Sequence, residues 1–292
     1  MIIGANLPDV DVLAYFAGPG ADLEWRRGWT HGILAVAVLP FLLTGALLLL
    51  HRVSERVRRR AAAPLDARQL LLLSFLALLS HPILDTLNTY GMRWLMPFSG
   101  RWFYGDTLFI IDPWVWLVLA LGVYSSRRRE YPAGQRTTWP ARVALAGALL
   151  YTVAMAISGR AARRIIEHEV VSASGKPVEG IMAGPAPLDP LVRQFVVEQG
   201  RQYLVGTFRW LNRPHLSRDD LLTYPRGRPS HPAFDAALAT ETARRFMVWA
   251  RFPTFEVQTV APGEYLVHFV DLRYARDPEA SFGALSVPVT LR

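Results

Sequence analysis

Five residues of this chain combine metal-binding or proton-carrying side chains with a place at the edge of an apolar run: Asp9, Asp11, His31, His81 and Asp85. They come from three segments, Asn6-Leu7-Pro8-Asp9-Val10-Asp11, Trp29-Thr30-His31 and His81-Pro82-Ile83-Leu84-Asp85. Ionisable groups at a membrane boundary are costly and need partners. Carboxylates and two imidazoles are enough donors for a divalent ion, and with no cysteine in the chain any such site must use nitrogen and oxygen. Water held on that ion would be acidified toward neutrality and become a nucleophile, with a neighbouring carboxylate as general base. The catalytic candidates are Asp11, His31 and Asp85. The metal candidates are all five residues.

The spacings agree with that chemistry. His81 and Asp85 are four apart and share one helical face, and Pro82 between them would kink the helix and open a polar pocket. Asp9 and Asp11 flank Val10, so an extended or turn segment turns both to one side. Each residue also has a structural reading. Asp9 and Asp11 read as turn or cap residues, Thr30 as the cap of the helix that follows, and His81 with Asp85 as a helix-packing hydrogen bond. Asp112-Pro113 reads as a helix start, with Asp112 as N-cap and a role behind the site shared with Thr30. Arg26 and Arg27 are candidates to bind a substrate phosphate or carboxylate, or to anchor the interface beside Trp25 and Trp29. His51, His168, His215, His231 and His268 lack ligand spacing and read as structural.

Four apolar runs must position these groups: residues 32–50, 70–87, 108–124 and 141–158. Each approaches the 20 or so residues a helix needs to cross a bilayer. In 292 residues, 51% of them hydrophobic and with a mean hydropathy of +0.19, the apolar residues are clustered rather than spread. Arg52, Arg56, Arg58, Arg59, Arg60 and Arg68 follow the first run, and Arg127, Arg128, Arg129 and Arg136 follow the third. Positive charge marks the cytoplasmic side, so both loops lie inside, and Asp9, Asp11, His31, His81, Asp85 and Asp112 all fall at the outer face. The net charge of +8 therefore reads as topology, not nucleic-acid binding.

After about residue 165 the pattern changes. Gly175 through Pro190 reads as loop, 192–197, 202–211, 255–260, 265–274 and 285–290 as strands, and 232–250 as one helix. The expected fold is mainly α: a polytopic helical membrane bundle of four spans over residues 1–164, then a small α+β soluble domain over 165–292, outside the membrane. The partner is membrane lipid.

The ordered set of motifs resembles a known family. Asn-Leu-Pro-Asp-Val-Asp at 6–11, Arg-Arg-Gly-Trp-Thr-His at 26–31, Ser-His-Pro-Ile-Leu-Asp-Thr-Leu-Asn-Thr-Tyr-Gly at 80–91 and Phe-Ile-Ile-Asp-Pro at 109–113 are similar to the bacterial inner-membrane metal-dependent hydrolases of the LexA-regulated, YdjM-like group. Residues 244–253 and 271–274 resemble the C-terminal domain of its longer members. The resemblance implies a multi-pass inner-membrane protein with a divalent metal on Asp9, Asp11, His31, His81 and Asp85. Members usually begin with a further helix bearing a Thr-His pair, and many have His where this chain has Arg26, so an upstream start is expected. The expected activity is hydrolysis of a phosphoester or related bond in a lipid-linked or envelope substrate. The ion is expected to be Zn²⁺, with Mn²⁺ or Fe²⁺ admitted by the same donors. The alternative is a non-enzymatic membrane protein with a structural metal and a partner-binding C-terminal domain.

Overall fold

A computed structural model of the chain describes residues 1–58, 64–130, 137–213, 215–217 and 220–291, so Arg59, Arg60 and Arg136 of the expected cytoplasmic loops lie outside the described residues. The chain forms two compact units, Met1–Tyr104 and Gly105–Arg292.

The first unit begins with a short helix α1 (Ile2–Asn6), a 3₁₀ segment (Leu7–Ala17) and a second short helix α2 (Ala21–Trp25). Two long helices follow, α3 (Ile33–Arg58) and α4 (Ala67–Thr86). Asp66 caps α4 by accepting from the backbone of Arg68 and Gln69. The two helices run antiparallel, with a hydrogen bond from Thr44 to Ser74 at 3.3 Å inside the pair. Small residues allow α1 to join them: a Cβ on Gly4 would stand 3.0 Å from Leu43 and 3.1 Å from Ala77. The outward faces of α3 and α4 are apolar and uncovered, among them Phe41, Leu42, Leu49 and Leu76. Patches of that size need lipid or a partner.

The segment after α4 folds back over the start of α3. Met92 and Phe103 form an antiparallel bridge, the Arg93 amide donates to the Arg27 carbonyl at 3.0 Å, and the Ile33 amide donates to the Trp94 carbonyl at 2.8 Å. The 90–104 stretch is thus a brace stitched to residues 27–33.

The second unit opens with α5 (Pro113–Glu130) and α6 (Trp139–Ser174). They pack closely where Gly122 meets Ala144, too tightly for any side chain on the glycine. The last turns of α6 lie on a four-stranded antiparallel sheet of β1 (Gly180–Pro185), β2 (Val192–Gln199), β3 (Gln202–Arg209) and β4 (Leu222–Pro225), in that spatial order. Ala162, Ile166 and Val170 of the helix meet Ala183, Phe195, Val197 and Phe208 of the strands. The opposite sheet face holds Met182, Val196, Tyr203 and Val205 with Phe252 and Leu272. A second antiparallel sheet, β5 (Pro253–Ala261), β6 (Glu264–Asp271) and β7 (Ala284–Thr290), packs with α7 (Pro232–Leu238) and α8 (Glu241–Trp249) around Phe234, Phe246, Phe255 and Phe269.

Three expectations are corrected. Among the described residues three helices, not four, are long and apolar enough to cross a membrane: Ile33–Val57, Ala67–Thr86 and Trp139–Ser174. The expected third span, 108–124, enters its helix only at Pro113, and that helix runs on into Arg127, Arg128 and Arg129. Its apolar part is too short for a bilayer core. The fold is mixed helix and sheet, about half helical, rather than mainly α. The single helix expected over 232–250 is two, because Thr240 ends one and caps the next through the Ala243 amide at 3.3 Å. Apart from these, residues 164 and 165 both lie within α6.

One ionic cluster braces the second unit. Asp106, fully buried and in the left-handed backbone region, is held by Arg163 and by Arg251 at 2.9 Å. Arg193, also buried, donates to the carbonyls of Met155 (2.7 Å) and Ala183 (3.2 Å), and burial pulls its pKa down to about 10, still charged at neutral pH. Removing one partner of a buried ion pair leaves the other charge stranded. We predict that Asp106→Asn, which keeps the side-chain shape suited to this backbone, lowers stability by roughly 3–5 kcal/mol. A melting temperature equal to wild type in thermal unfolding of the solubilised protein would contradict this.

Candidate metal centre

Two imidazoles and three carboxylates converge in the first unit. His31 lies in the turn before α3 and is completely buried. His81 and Asp85 lie one turn apart on α4, and Asp9 and Asp11 on the 3₁₀ segment. The Asp9 Oδ1 atom is 3.7 Å from His31 Nε2 and 3.4 Å from His81 Nε2. Asp85 Oδ2 is 3.5 Å and 3.4 Å from the same two nitrogens. One donor atom each from Asp9, His31 and His81 fits within 4.8 Å of the others. Donors on a small divalent ion at roughly 2.0–2.2 Å stand about 3–3.6 Å apart, so these separations suit a shared ion.

The other side of each ring explains why Nε2 faces inward. His81 Nδ1 is 2.6 Å from the Ala5 carbonyl, which only accepts, so Nδ1 carries the hydrogen. His31 Nδ1 is 3.2 Å from Asp11 Oδ2 and 2.9 Å from Thr30 Oγ1. The carboxylate again takes the Nδ1 hydrogen, an arrangement that orients metal-binding histidines. His31 Nε2 and Asp85 Oδ2 are buried and make no hydrogen bond among the described residues. Buried polar atoms without partners are rare, and here they face each other across the centre of the cluster. Asp9, half exposed, is its side toward solvent.

Asp11 thus stands behind His31 rather than in the cluster, also accepting from the Arg27 amide at 2.8 Å and from Thr30 at 3.3 Å. Thr30 does not cap α3, which starts at Ile33. Arg27 pins Asp85 Oδ1 at 2.9 Å, donates to Asn88 Oδ1 at 2.8 Å and lies over the Tyr90 ring. Its guanidinium is committed to holding the site together. The Arg26 carbonyl accepts from Arg93 at 2.9 Å, while none of the described ion pairs involves the Arg26 guanidinium. Asp112 caps α5 through the amides of Trp114 (3.1 Å) and Val115 (3.2 Å), as its sequence context implied, and accepts from Tyr151.

Residues 1–163 match the YdjM inner membrane protein family. The chain belongs to that family. The match covers every residue of the cluster and leaves both sheets outside it. The chain is also 23% identical, over 97% of its own length and 79% of the relative's, to the uncharacterized protein YfhP of Bacillus subtilis (strain 168). No solved structure matches it.

Within this YdjM-family chain, sequence reasoning missed two supports. Arg93 is buried, donates to the carbonyls of Glu24 and Arg26, and stacks on Trp102. It fixes the turn carrying His31, and a Cβ on Gly28 would stand only 2.7 Å from its guanidinium. Asn88 is the other: its Oδ1 also accepts from the amides of Tyr90 (2.9 Å) and Gly91 (3.2 Å), forming the turn after α4. The Asn-x-Tyr-Gly spacing was a readable turn signal. Arg93 had none, because its partners are backbone carbonyls far away in sequence.

Burial opposes charge on His31, but the Asp11 and Asp9 hydrogen bonds and the charges of Asp11 and Asp85 outweigh it and raise its pKa above the ordinary value. The raised pKa favours the protonated imidazole, and a metal must displace that proton. We predict that Zn²⁺ affinity of the purified protein rises as pH increases toward the raised His31 pKa and falls on acidification; a pH-independent affinity in titration calorimetry would count against it. Asp11→Asn should weaken affinity by about 10–100-fold while leaving one ion bound at saturation, and unchanged affinity would show that Asp11 does not orient His31.

Proposed function

We propose that this protein is an inner-membrane hydrolase that uses one divalent ion, Zn²⁺ by preference, held by Asp9, His31 and His81. The observation that carries the reading is the pair of Nε2 atoms aimed at Asp9 from two imidazoles whose Nδ1 atoms are already committed. Catalytic zinc sites characteristically have three protein ligands and an open position. When bound there, the ion would acidify a water molecule and polarise the oxygen of the bond to be cleaved.

The chain's own groups divide the remaining work. Asp85 Oδ2 has no hydrogen-bond partner among the described residues and stands beside both imidazoles, while its Oδ1 is fixed by Arg27. It is the general base that takes the proton of the attacking water. Asp11 and the Ala5 carbonyl hold the two rings in place. Arg26 offers its guanidinium to a substrate phosphate. The substrate class is a phosphoester, or a related bond, of a lipid-linked or envelope molecule.

The arginines support an orientation. Arg52, Arg56 and Arg58 lie at the far end of α3 from the cluster, so the positive-inside rule puts the cluster at the outer face.

We predict that His81→Ala and His31→Ala abolish stoichiometric metal in purified protein. Asp85→Asn should retain the ion yet lose about 10²–10⁴-fold in metal-dependent cleavage of a chromogenic phosphodiester in detergent micelles. Full turnover by Asp85→Asn would remove Asp85 as the base, and a wild-type protein that binds zinc without cleaving phosphodiesters or lipid phosphates would refute the hydrolase reading.

A further inference from the structure

We infer that the 3₁₀ segment beside the cluster is immersed in the outer leaflet of the bilayer, so that lipid acyl chains flank the metal centre directly. Depth comes first. Gly4 sits against Leu43 and Ala77. Leu43 is ten residues along α3 from Ile33, and Ala77 is nine residues from the end of α4 at Thr86. At 1.5 Å per residue, α1 therefore lies about 14–15 Å in from the outer helix ends, close to the middle of a hydrocarbon core of about 30 Å. The 3₁₀ segment climbs from there toward the surface.

Composition comes second. Residues 12–21 contain no charged side chain. Val12, Leu13, Tyr15 and Phe16 are exposed, Phe16 at 83%. On α1, Ile2 is equally bare. Of the acidic residues of the segment, Asp11 is buried, and Asp9, half exposed on the open side of the cluster, reaches the two histidines. The exposed side chains of residues 12–16 are thus apolar, a patch that calls for lipid or another apolar partner. Trp25 and Trp29, both about half exposed and 6.5 Å apart, lie just beyond it, where aromatic residues mark the headgroup level.

The occupant of this face is lipid, because the face is continuous with helices that cross the membrane: Ile33 and Leu34 at the start of α3 are exposed as well. Non-helical backbone at this depth is tolerated only where protein covers its polar groups, and the 3₁₀ segment packs against α2 and α4. The inference depends on membrane placement of α3 and α4, not on hydrolysis.

The chain has no cysteine, so single thiols can be placed without background. Val12→Cys, Leu13→Cys and Phe16→Cys would each be reconstituted in phosphatidylethanolamine–phosphatidylglycerol vesicles and treated with a membrane-impermeant maleimide, after freeze–thaw to admit reagent to both sides. The same samples unfolded in SDS define full labelling. Loss of labelling at all three positions in vesicles, with full labelling in SDS, is the expected result. Labelling in vesicles as complete as in SDS would overturn the immersion, whatever the enzymatic assays show.

Discussion

A buried imidazole flanked by three carboxylates is the constraint to which the first unit answers. His31 is completely enclosed, with Asp11 on one nitrogen and Asp9 and Asp85 facing the other. In an apolar setting such a cluster is costly unless each group is paired. Asp11 Oδ2 is satisfied by Thr30 and the Arg27 amide, while Asp11 Oδ1 is buried without a hydrogen bond among the described residues, and Asp85 is satisfied in part by the Arg27 guanidinium. What is left over is a small set of donor atoms pointing at one another: His31 Nε2, His81 Nε2, Asp85 Oδ2 and Asp9 Oδ1. A divalent ion on Asp9, His31 and His81 would satisfy three of them together.

The surrounding elements follow from holding that cluster still. The brace after α4 ties residues 92–94 to 27–33, Arg93 fixes the turn through backbone carbonyls, and glycines at 28 and 32 let the chain pass where a side chain would collide. In the second unit, buried Asp271 holds the Arg251 amide and the Arg273 guanidinium. The 244–253 and 271–274 segments, prominent in the sequence, are thus joined by hydrogen bonds from the Arg251 amide to Asp271 and from the Arg273 guanidinium to the Trp249 carbonyl.

Much of the site was legible because its information is local. The four-residue spacing of His81 and Asp85 and the position of His31 just before an uncharged apolar run survive intact. The division of labour between Asp9 and Asp11 was not legible: both flank Val10, and only the 3₁₀ path turns one to the centre and the other behind His31. In the second unit β1 was hidden by Gly180, Gly184 and Pro185, which read as loop yet are tolerated in an edge strand whose outer side is unpaired. The α5 segment deceived in the opposite direction. An apolar run across 108–124 looked like a span, but Asp112-Pro113 starts the helix late and three arginines extend it past the apolar part.

The central claim is that Asp9, His31 and His81 share one divalent ion. X-ray absorption at the metal edge of zinc-loaded protein tests it most directly. The account predicts one ion with two imidazole nitrogens and oxygen donors at about 2.0–2.2 Å, and loss of one imidazole in His81→Ala if any ion remains bound. A stoichiometric ion with no imidazole in its shell, or no bound ion at neutral pH in the folded wild-type protein, would contradict it.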